Sequence, residues 1–309
     1  MANHKSTIAL LVPVYNGEKY IDQFHQNLSE LKESFDEILF YNDGSTDNSL
    51  GAIKKLGYKV INSAKNKGPA FSRNQLINAS SAKWVHFHDI DDIMCADYLA
   101  AKLHYLESNY NAIICDADWI NAQSGNTIIK WRYSNSLLQK DGAGYLLRNP
   151  IGGINGLYKR DILLEIGGFD ENLKIWEDAD MHLRLYLFSP NIFFLEKMLV
   201  KSLRGSNSTS SNILEQQKNR LMFLNKYKFI DDSLLKASLI IEADKFYHSV
   251  VYKKQWSLYE DCIQLFIDLG IKPPIIKKRY LNFLRSIIGG KTFTRLKYHY
   301  LKHIKGLEI

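Results

Sequence analysis

The chain has 309 residues, 46% of them apolar and 24% charged, a balance that excludes a fibrous or disordered protein and predicts a packed core. Its net charge of +7 is local: residues 271–309 hold ten Lys/Arg and one acid, Glu308, so the first 270 residues sum to −2. A nucleic-acid or membrane role based on charge therefore belongs to the C-terminal end alone.

Along the chain, Thr7–Val14 is a continuous apolar run closed by Tyr15-Asn16-Gly17, the pattern of a buried parallel strand. Apolar residues at Tyr20, Ile21, Phe24, Leu28 and Leu31 predict an amphipathic helix over 18–33. Glu37–Tyr41 is a second strand, ended by Asn42-Asp43-Gly44, and Thr46-Asp47-Asn48 offer caps for a helix over 47–56. A short strand at Tyr58–Asn62 precedes a helix over 69–80 that opens with Pro69. Lys83–His88 is a fourth strand running into Asp89-Ile90-Asp91-Asp92. A helix over about 95–108 and a strand at Ala112–Cys115 continue the alternation. Residues 120–210 read as irregular, with glycine turns at 142–144, 152–153 and 167–168 and a helix over about 178–188. The Ser/Asn-rich stretch Gly205–Asn212 marks a boundary, and the pattern beyond it is helical. Two domains are expected, 1–212 and 213–309.

Strand–helix alternation predicts an α/β fold with a mainly parallel sheet, whose ligands bind beyond the carboxyl ends of the strands. Tyr15-Asn16, Asp43-Gly44-Ser45 and Asp89–Asp92 all fall at such ends. Two carboxylates two residues apart at a strand end, Asp89 and Asp91, suit a hard divalent cation that bridges phosphate oxygens. The competing reading is an acidic cap for the helical run after Asp92. Cys95, Cys115 and Cys262 are odd in number and lack CxxC spacing, which argues against a disulfide framework or a zinc site and fits a reducing compartment. The run Ile8–Val14 is too short for a secretory leader, and no run approaches the ~18 apolar residues of a membrane span. A cytoplasmic protein is expected, or one peripheral on the inner face of the membrane.

The ordered set carries the most information. It comprises Val12-Pro13-Val14-Tyr15-Asn16-Gly17-Glu18, Asn42-Asp43-Gly44-Ser45-Thr46-Asp47, Asn66-Lys67-Gly68-Pro69-Ala70-Phe71-Ser72-Arg73-Asn74, Asp89-Ile90-Asp91-Asp92, Gly167-Gly168-Phe169-Asp170-Glu171 and Glu177-Asp178. This series resembles the large inverting glycosyltransferase family with the GT-A fold, commonly called family 2, over residues 6 to about 210. The resemblance implies a GT-A, Rossmann-like sheet flanked by helices, with a C-terminal helical region. It implies transfer of a single sugar from a nucleotide donor, a UDP-sugar, to a hydroxyl of a glycan or lipid-linked acceptor, with Mn²⁺ or Mg²⁺.

For the site, the resemblance implies that Pro13, Val14, Tyr15, Asn16, Glu18, Asp43, Gly68, Arg73, Asp89, Ile90 and Asp91 serve the donor. Asp43 would accept from the uracil imide, and Asp91 with Asp89 would hold the metal. It places the general base at Asp178. Trp176, Glu177, Asn155 and Gly156 are candidates for the sugar or the acceptor. Each has a plainer reading. Asp43 suits an Asp-Gly turn, Arg73 a surface ion pair, Gly68 a turn, and Trp176 core packing. Glu177-Asp178 suits an acidic first helical turn favoured by the helix dipole.

Gln217-Lys218-Asn219-Arg220 is followed by Leu221, not the Trp of processive synthases, and reads as coincidence. Arg204–Thr209 resembles a loop that closes over the diphosphate, without the His common there. His86 and His88 alternate on a strand and read as structural. Residues 278–288 and 291–305 are basic and amphipathic, a pattern that suits an anionic membrane surface or a helical subdomain packing its apolar face. No nucleic-acid motif is present. The alternative function is a non-catalytic nucleotide-sugar-binding or membrane-scaffold protein. A nucleotidyltransferase is disfavoured, because no Gly-rich basic loop follows the first strand.

Overall fold

In the computed structural model of the chain, the N-terminal apolar run forms β1 (Ile8–Val14), buried at nearly every position. A strand covered on both faces needs this unbroken apolar character. β1 pairs in parallel with β2 (Glu37–Asp43) on one side and β4 (Trp84–Phe87) on the other, and β3 (Lys59–Ser63) adds in parallel to β2. The connections carry α1 (Glu18–Ser29), α2 (Ser49–Lys55) and α3 (Pro69–Ala79). The structure describes residues 7–204, 212–273 and 287–299. They fall in two units, Met1–Ser211 and Asn212–Ile309.

Beyond β4 the sheet becomes mixed. β8 (Gly156–Lys159) runs antiparallel to both β4 and β6 (Ala112–Asn121) and joins the two halves. β9 (Ile192–Arg204) is parallel to β6, while β7 (Thr127–Trp131) and the short β5 (Ile93–Met94) pair antiparallel to β6 and β9. Among the described residues the order is β3-β2-β1-β4-β8-β6-β9-β5, with β7 alongside β6. The parallel expectation thus describes the first half, and the second half departs from it.

The stretch 120–210 is also more regular than expected. It holds β7, β8 and β9, with α5 (Asn135–Asp141), α6 (Ala143–Arg148), α7 (Arg160–Glu165) and α8 (Glu177–Phe188). The expected helix over 95–108 shrinks to α4 (Ala100–Leu103). Its neighbours close as tight three-residue turns, such as Tyr105 N–H to Lys102 O and Ser108 N–H to Tyr105 O. The core joins Leu10, Val12, Phe24, Phe40, Trp84, Ile113, Leu157 and Val200.

The second unit contains α9 (Ile213–Tyr227), α10 (Ser233–Tyr252), α11 (Tyr259–Asp268) and α12 (Gly290–His299). Gln217 donates to Ser249 and Arg220 pairs with Glu242 at 2.7 Å, so both residues of the chance motif serve helix packing. α12 buries Phe293 and Tyr298, and the Tyr259 hydroxyl meets the Thr294 hydroxyl at 2.8 Å. Leu296 stays 58% exposed, so it does not share the inward face with Phe293. Residues 278–286 and 300–305 of the basic stretch lie outside the described residues. No helix among the described residues is long and apolar enough to cross a membrane.

The turn after β2 depends on Gly44, at φ +68°. A methyl there would stand 2.6 Å from the Lys65 carbonyl carbon, whereas one on Gly57, at φ +79°, would meet nothing within 4 Å. Gly57→Ala should lose about 1 kcal/mol, the left-handed strain alone, and Gly44→Ala distinctly more. Urea unfolding of the two variants checks this. Equal losses would show that the Gly44–Lys65 approach relaxes freely.

Candidate active site

The loops at the carboxyl ends of β1 and β2 are sewn together. Asn16, in the left-handed region at φ 52°, accepts the Thr46 N–H at 2.8 Å through its side-chain oxygen. Glu18 accepts the Asn48 N–H at 3.1 Å, and Asp47 accepts the Glu18 N–H at 3.0 Å. The Gly17 N–H reaches the Ser49 hydroxyl at 2.9 Å. Asn16 and Glu18 therefore tie the loop after β1 to the loop after β2. Pro13 and Val14 end β1, Tyr15 is 51% exposed beside them, and Ile90 packs in the core.

Asp43 is buried, and its two oxygens accept the Lys67 and Gly68 N–H groups at 2.9 and 2.8 Å. It fixes the loop that opens α3, and each oxygen keeps a further lone pair. Gly68 sits at φ 95°, ψ 167°, a conformation open essentially to glycine alone. A methyl there would meet nothing within 4 Å, so the backbone angle rather than crowding requires glycine.

Arg73, on α3, is only 3% exposed. Its Nη2 donates to Asp89 Oδ1 at 2.9 Å. Its Nη1 donates to Glu177 Oε1 at 2.9 Å and to Asp178 Oδ1 at 3.2 Å. The guanidinium also lies 5.4 Å from the Phe169 ring centroid. One buried cation thus joins the end of β4 to the first turn of α8. Burial opposes the charge on Arg73, but Asp178, Asp89 and Glu177 outweigh it and raise the pKa. Shared three ways, the guanidinium cannot hold every carboxylate ionised. Burial first, and then the Asp178 charge, push Glu177 up to about 8.

Trp176, immediately before this turn, is at φ 77°. A bulky residue in the left-handed region is strained, and the strain falls next to the two carboxylates. Asp178 is also bounded by Gly153: a methyl there would stand 2.8 Å from Asp178 Oδ1. The Asp178 carbonyl meets His182 Nδ1 at 2.6 Å, and His182 Nε2 meets the Tyr158 hydroxyl at 2.8 Å. Gly156 lies under the Tyr158 ring, where a methyl would come within 2.3 Å of ring carbon, so it belongs to the core. Asn155 is fully buried nearby.

The carboxylates after β4 differ in placement. Asp89 is 41% exposed and turned to Arg73. Asp92 is buried and accepts the Leu203 N–H at 2.9 Å. Burial, then Asp89 and Asp91, hold Asp92 well above the usual carboxylate range; burial and Asp89 raise Asp91, against Arg204 and Lys19. Crowded carboxylates short of cations suit a divalent ion at Asp91 and Asp89. Among the described residues no three His, Cys, Asp or Glu form a metal-holding group. An ion here would take its remaining ligands from phosphate and water.

Arg204, expected at the start of the loop over the diphosphate, has a ring partner the sequence reading did not name. Arg204 stacks 4.0 Å over the Trp119 ring, and Trp119 lies 4.7 Å from Trp131. His86 and His88 are buried, and both are held neutral chiefly by burial.

The architecture is shared with known transferase structures. The fold matches Staphylococcus aureus TarS 1–349 in complex with UDP-GlcNAc at TM-score 0.68 and 17% identity, covering 95% of this chain and 89% of that one. It matches the mannosyltransferase PcManGT of Pyrobaculum calidifontis, in complex with GDP-Man and Mn²⁺, at TM-score 0.60 and 13% identity, over 97% and 86% of the two chains. Residues 9–167 match the family described as "Glycosyl transferase family 2". The chain belongs to that family.

Among relatives, an uncharacterized glycosyltransferase of Haemophilus influenzae is 31% identical over 36% of this chain and 49% of its own length. The uncharacterized glycosyltransferase YibD of Escherichia coli is 29% identical over 41% of this chain and 38% of its own length. The chain thus matches about half or less of these two relatives. The putative teichuronic acid biosynthesis glycosyltransferase TuaG of Bacillus subtilis is 24% identical over 69% of this chain and 84% of its own length.

The raised Glu177 value has a defined consequence. From 4.5 to about 8 the native state keeps a proton that the unfolded chain has released. Stability is therefore fully present at the acid end of that window and falls as pH rises through it. Glu177→Gln keeps an oxygen for Arg73 and removes the titration. Its melting temperature should gain on the wild type between about pH 5 and about pH 9. A constant offset across that range would show that Glu177 is ionised throughout.

Proposed function

We propose that the protein is an inverting glycosyltransferase that moves one sugar from a UDP-sugar to a hydroxyl of a glycan or lipid-linked acceptor. One observation carries this reading. The Asp178 carboxylate lies 3.2 Å from the buried guanidinium that also grips Asp89 at the end of β4. A base and a diphosphate-binding turn are thereby held in fixed relation.

Asp178 takes the proton of the acceptor hydroxyl as its oxygen attacks the anomeric carbon. The new C–O bond forms on the face opposite the breaking bond to the diphosphate, so the anomeric configuration inverts. Arg73 and the α8 backbone orient Asp178, and Gly153 leaves room for its carboxylate. Asp43, through its free lone pairs, accepts from the uracil imide. Asp91 and Asp89 would hold a divalent ion, which would supply positive charge to offset the negative charge of the departing diphosphate. The basic stretch 278–305 supports a peripheral place on an anionic membrane face, next to a lipid-linked acceptor.

UDP release from a panel of UDP-sugars, with and without Mn²⁺ or Mg²⁺, is the direct test. Release should need the metal. Asp178→Asn should abolish it while calorimetry still detects donor binding. Full turnover in Asp178→Asn would remove the base assignment. UDP binding with no turnover by the wild type on any donor would favour a non-catalytic scaffold. Gly153→Ala, which pushes on Asp178 Oδ1, should reduce kcat about tenfold or more with donor affinity kept. An unchanged kcat would mean that Asp178 moves without consequence.

A further inference from the structure

Asp178 stands on the second residue of α8, in a turn with little of its own to hold it. The first N–H groups of any helix lack partners within it, and such turns fray. A side-chain cap usually compensates. Here the residue before the turn is Trp176. An indole can only donate, so Trp176 gives the turn no side-chain cap. Its backbone is at φ 77°, and unwinding the turn would relieve that strain. Of the three contacts made by Arg73, the one to Asp178 is the longest, 3.2 Å against 2.9 Å for the others.

A second hold reaches Asp178 from the protein interior. His182, one turn further along α8, is only 1% exposed. Its Nδ1 lies 2.6 Å from the Asp178 carbonyl oxygen, and its Nε2 lies 2.8 Å from the Tyr158 hydroxyl. A carbonyl only accepts, so Nδ1 must carry a proton. Burial, the largest influence, lowers the His182 pKa to about 4, against the pull of Asp178. The ring is therefore neutral near pH 7 and holds that one proton. Nε2 is left bare and must accept.

The Tyr158 hydroxyl has one proton and two acceptors within reach, His182 Nε2 at 2.8 Å and Gly153 O at 3.3 Å. The tautomer of His182 directs it to Nε2. The donors then run in one sense, from Tyr158 to His182 to the backbone of Asp178. Tyr158 is fully buried on β8, in register with Val85 of β4 and Ala112 of β6. The chain of hydrogen bonds thus begins in the middle of the sheet and ends on the turn that bears Asp178.

We propose that His182 is a positioning residue for the transfer: its Nδ1–H on the Asp178 carbonyl ties the first turn of α8 to the sheet through Tyr158, and so keeps the Asp178 carboxylate aimed at the acceptor oxygen. The inference rests on the reading of Asp178 as the base. Buried as they are, His182 and Tyr158 act through the backbone and touch no substrate.

The tautomer is read on the wild type, from the nitrogen chemical shifts of isotope-labelled histidine. The proton should sit on Nδ1 of His182. Asparagine places an amide nitrogen where Nδ1 stands, and glutamine places one where Nε2 stands. His182→Asn should therefore keep kcat for UDP-sugar turnover within about threefold of the wild type, whereas His182→Gln should lower it about tenfold or more. Donor affinity, by calorimetry, should stay unchanged in both. A loss that merely followed stability would track the melting temperatures of the two variants instead of the nitrogen retained. Tyr158→Phe removes the donor to Nε2, and should mix the two tautomers and lower kcat with donor affinity kept. A wild-type proton on Nε2, or equal kcat in His182→Asn and His182→Gln, overturns the proposal. Should the His182 variants fail to fold, the wild-type tautomer and Tyr158→Phe still decide. Full turnover in Asp178→Asn would sink the base reading, and with it the role of the tie in transfer, while the tautomer stood. An inactive Asp178→Asn beside a fully active His182→Gln would keep the base and sink the tie.

Discussion

The buried guanidinium of Arg73 is the constraint on which the site depends. It is the one cation in direct contact with Asp89, Glu177 and Asp178 among the described residues. Removing one partner from a buried ion pair typically costs about 3–5 kcal/mol, because the other charge is left desolvated. Here one cation serves three acids, so the cluster carries surplus negative charge unless a proton or a cation joins it. Glu177, the most buried acid of the three, is where the proton stays. The arrangement trades local stability for a fixed spacing between the strand-end turn and the first turn of α8, which carries the proposed base.

Much of the frame is legible in the sequence, because the buried parallel strands β1, β2 and β4 leave apolar runs, and β3, partly exposed at the sheet edge, follows from the alternation. β1, β2, β3 and β4 fall within a residue or two of the expected segments, and three strand ends mark the crevice. The second half resisted for physical reasons. β7 is exposed along nearly its whole length, so it has no apolar face to betray it. β9 is broken by exposed Glu196 and Lys197 where its register with β6 shifts. Residues 95–108 have helical spacing but close through three-residue turns, with Lys102 pointing inward. Nothing in a window of residues announces that a lysine will be buried; that follows from tertiary packing.

The site was legible as a list and not as a division of labour. Asn16, Glu18 and Asp43 stand where ligand-binding residues were expected, yet each spends side-chain oxygens on neighbouring backbone N–H groups. A polar side chain at a strand end can face a ligand or tie a loop, and spacing does not distinguish these uses. Arg204 was expected as the start of a loop, but its stacking on Trp119 was not legible, because the two lie far apart in sequence.

The Asp89–Asp92 turn shows how adjacent like charges acquire different work. Asp89 is committed to Arg73, and through it to α8. Asp92 points inward and accepts the Leu203 N–H, which ties the turn to the end of β9 one residue before Arg204. Asp91 lies between them, raised by burial and by Asp89 but drawn the other way by Arg204 and Lys19. Two of the three carboxylates thus hold the turn in place from opposite sides, toward α8 and toward β9. Asp91, fixed by neither contact, is left as the carboxylate best placed to meet a cation. In the proposed transfer, an ion shared with the diphosphate would need little more from the protein than such a framed turn, because most of its ligands would come from the substrate and water.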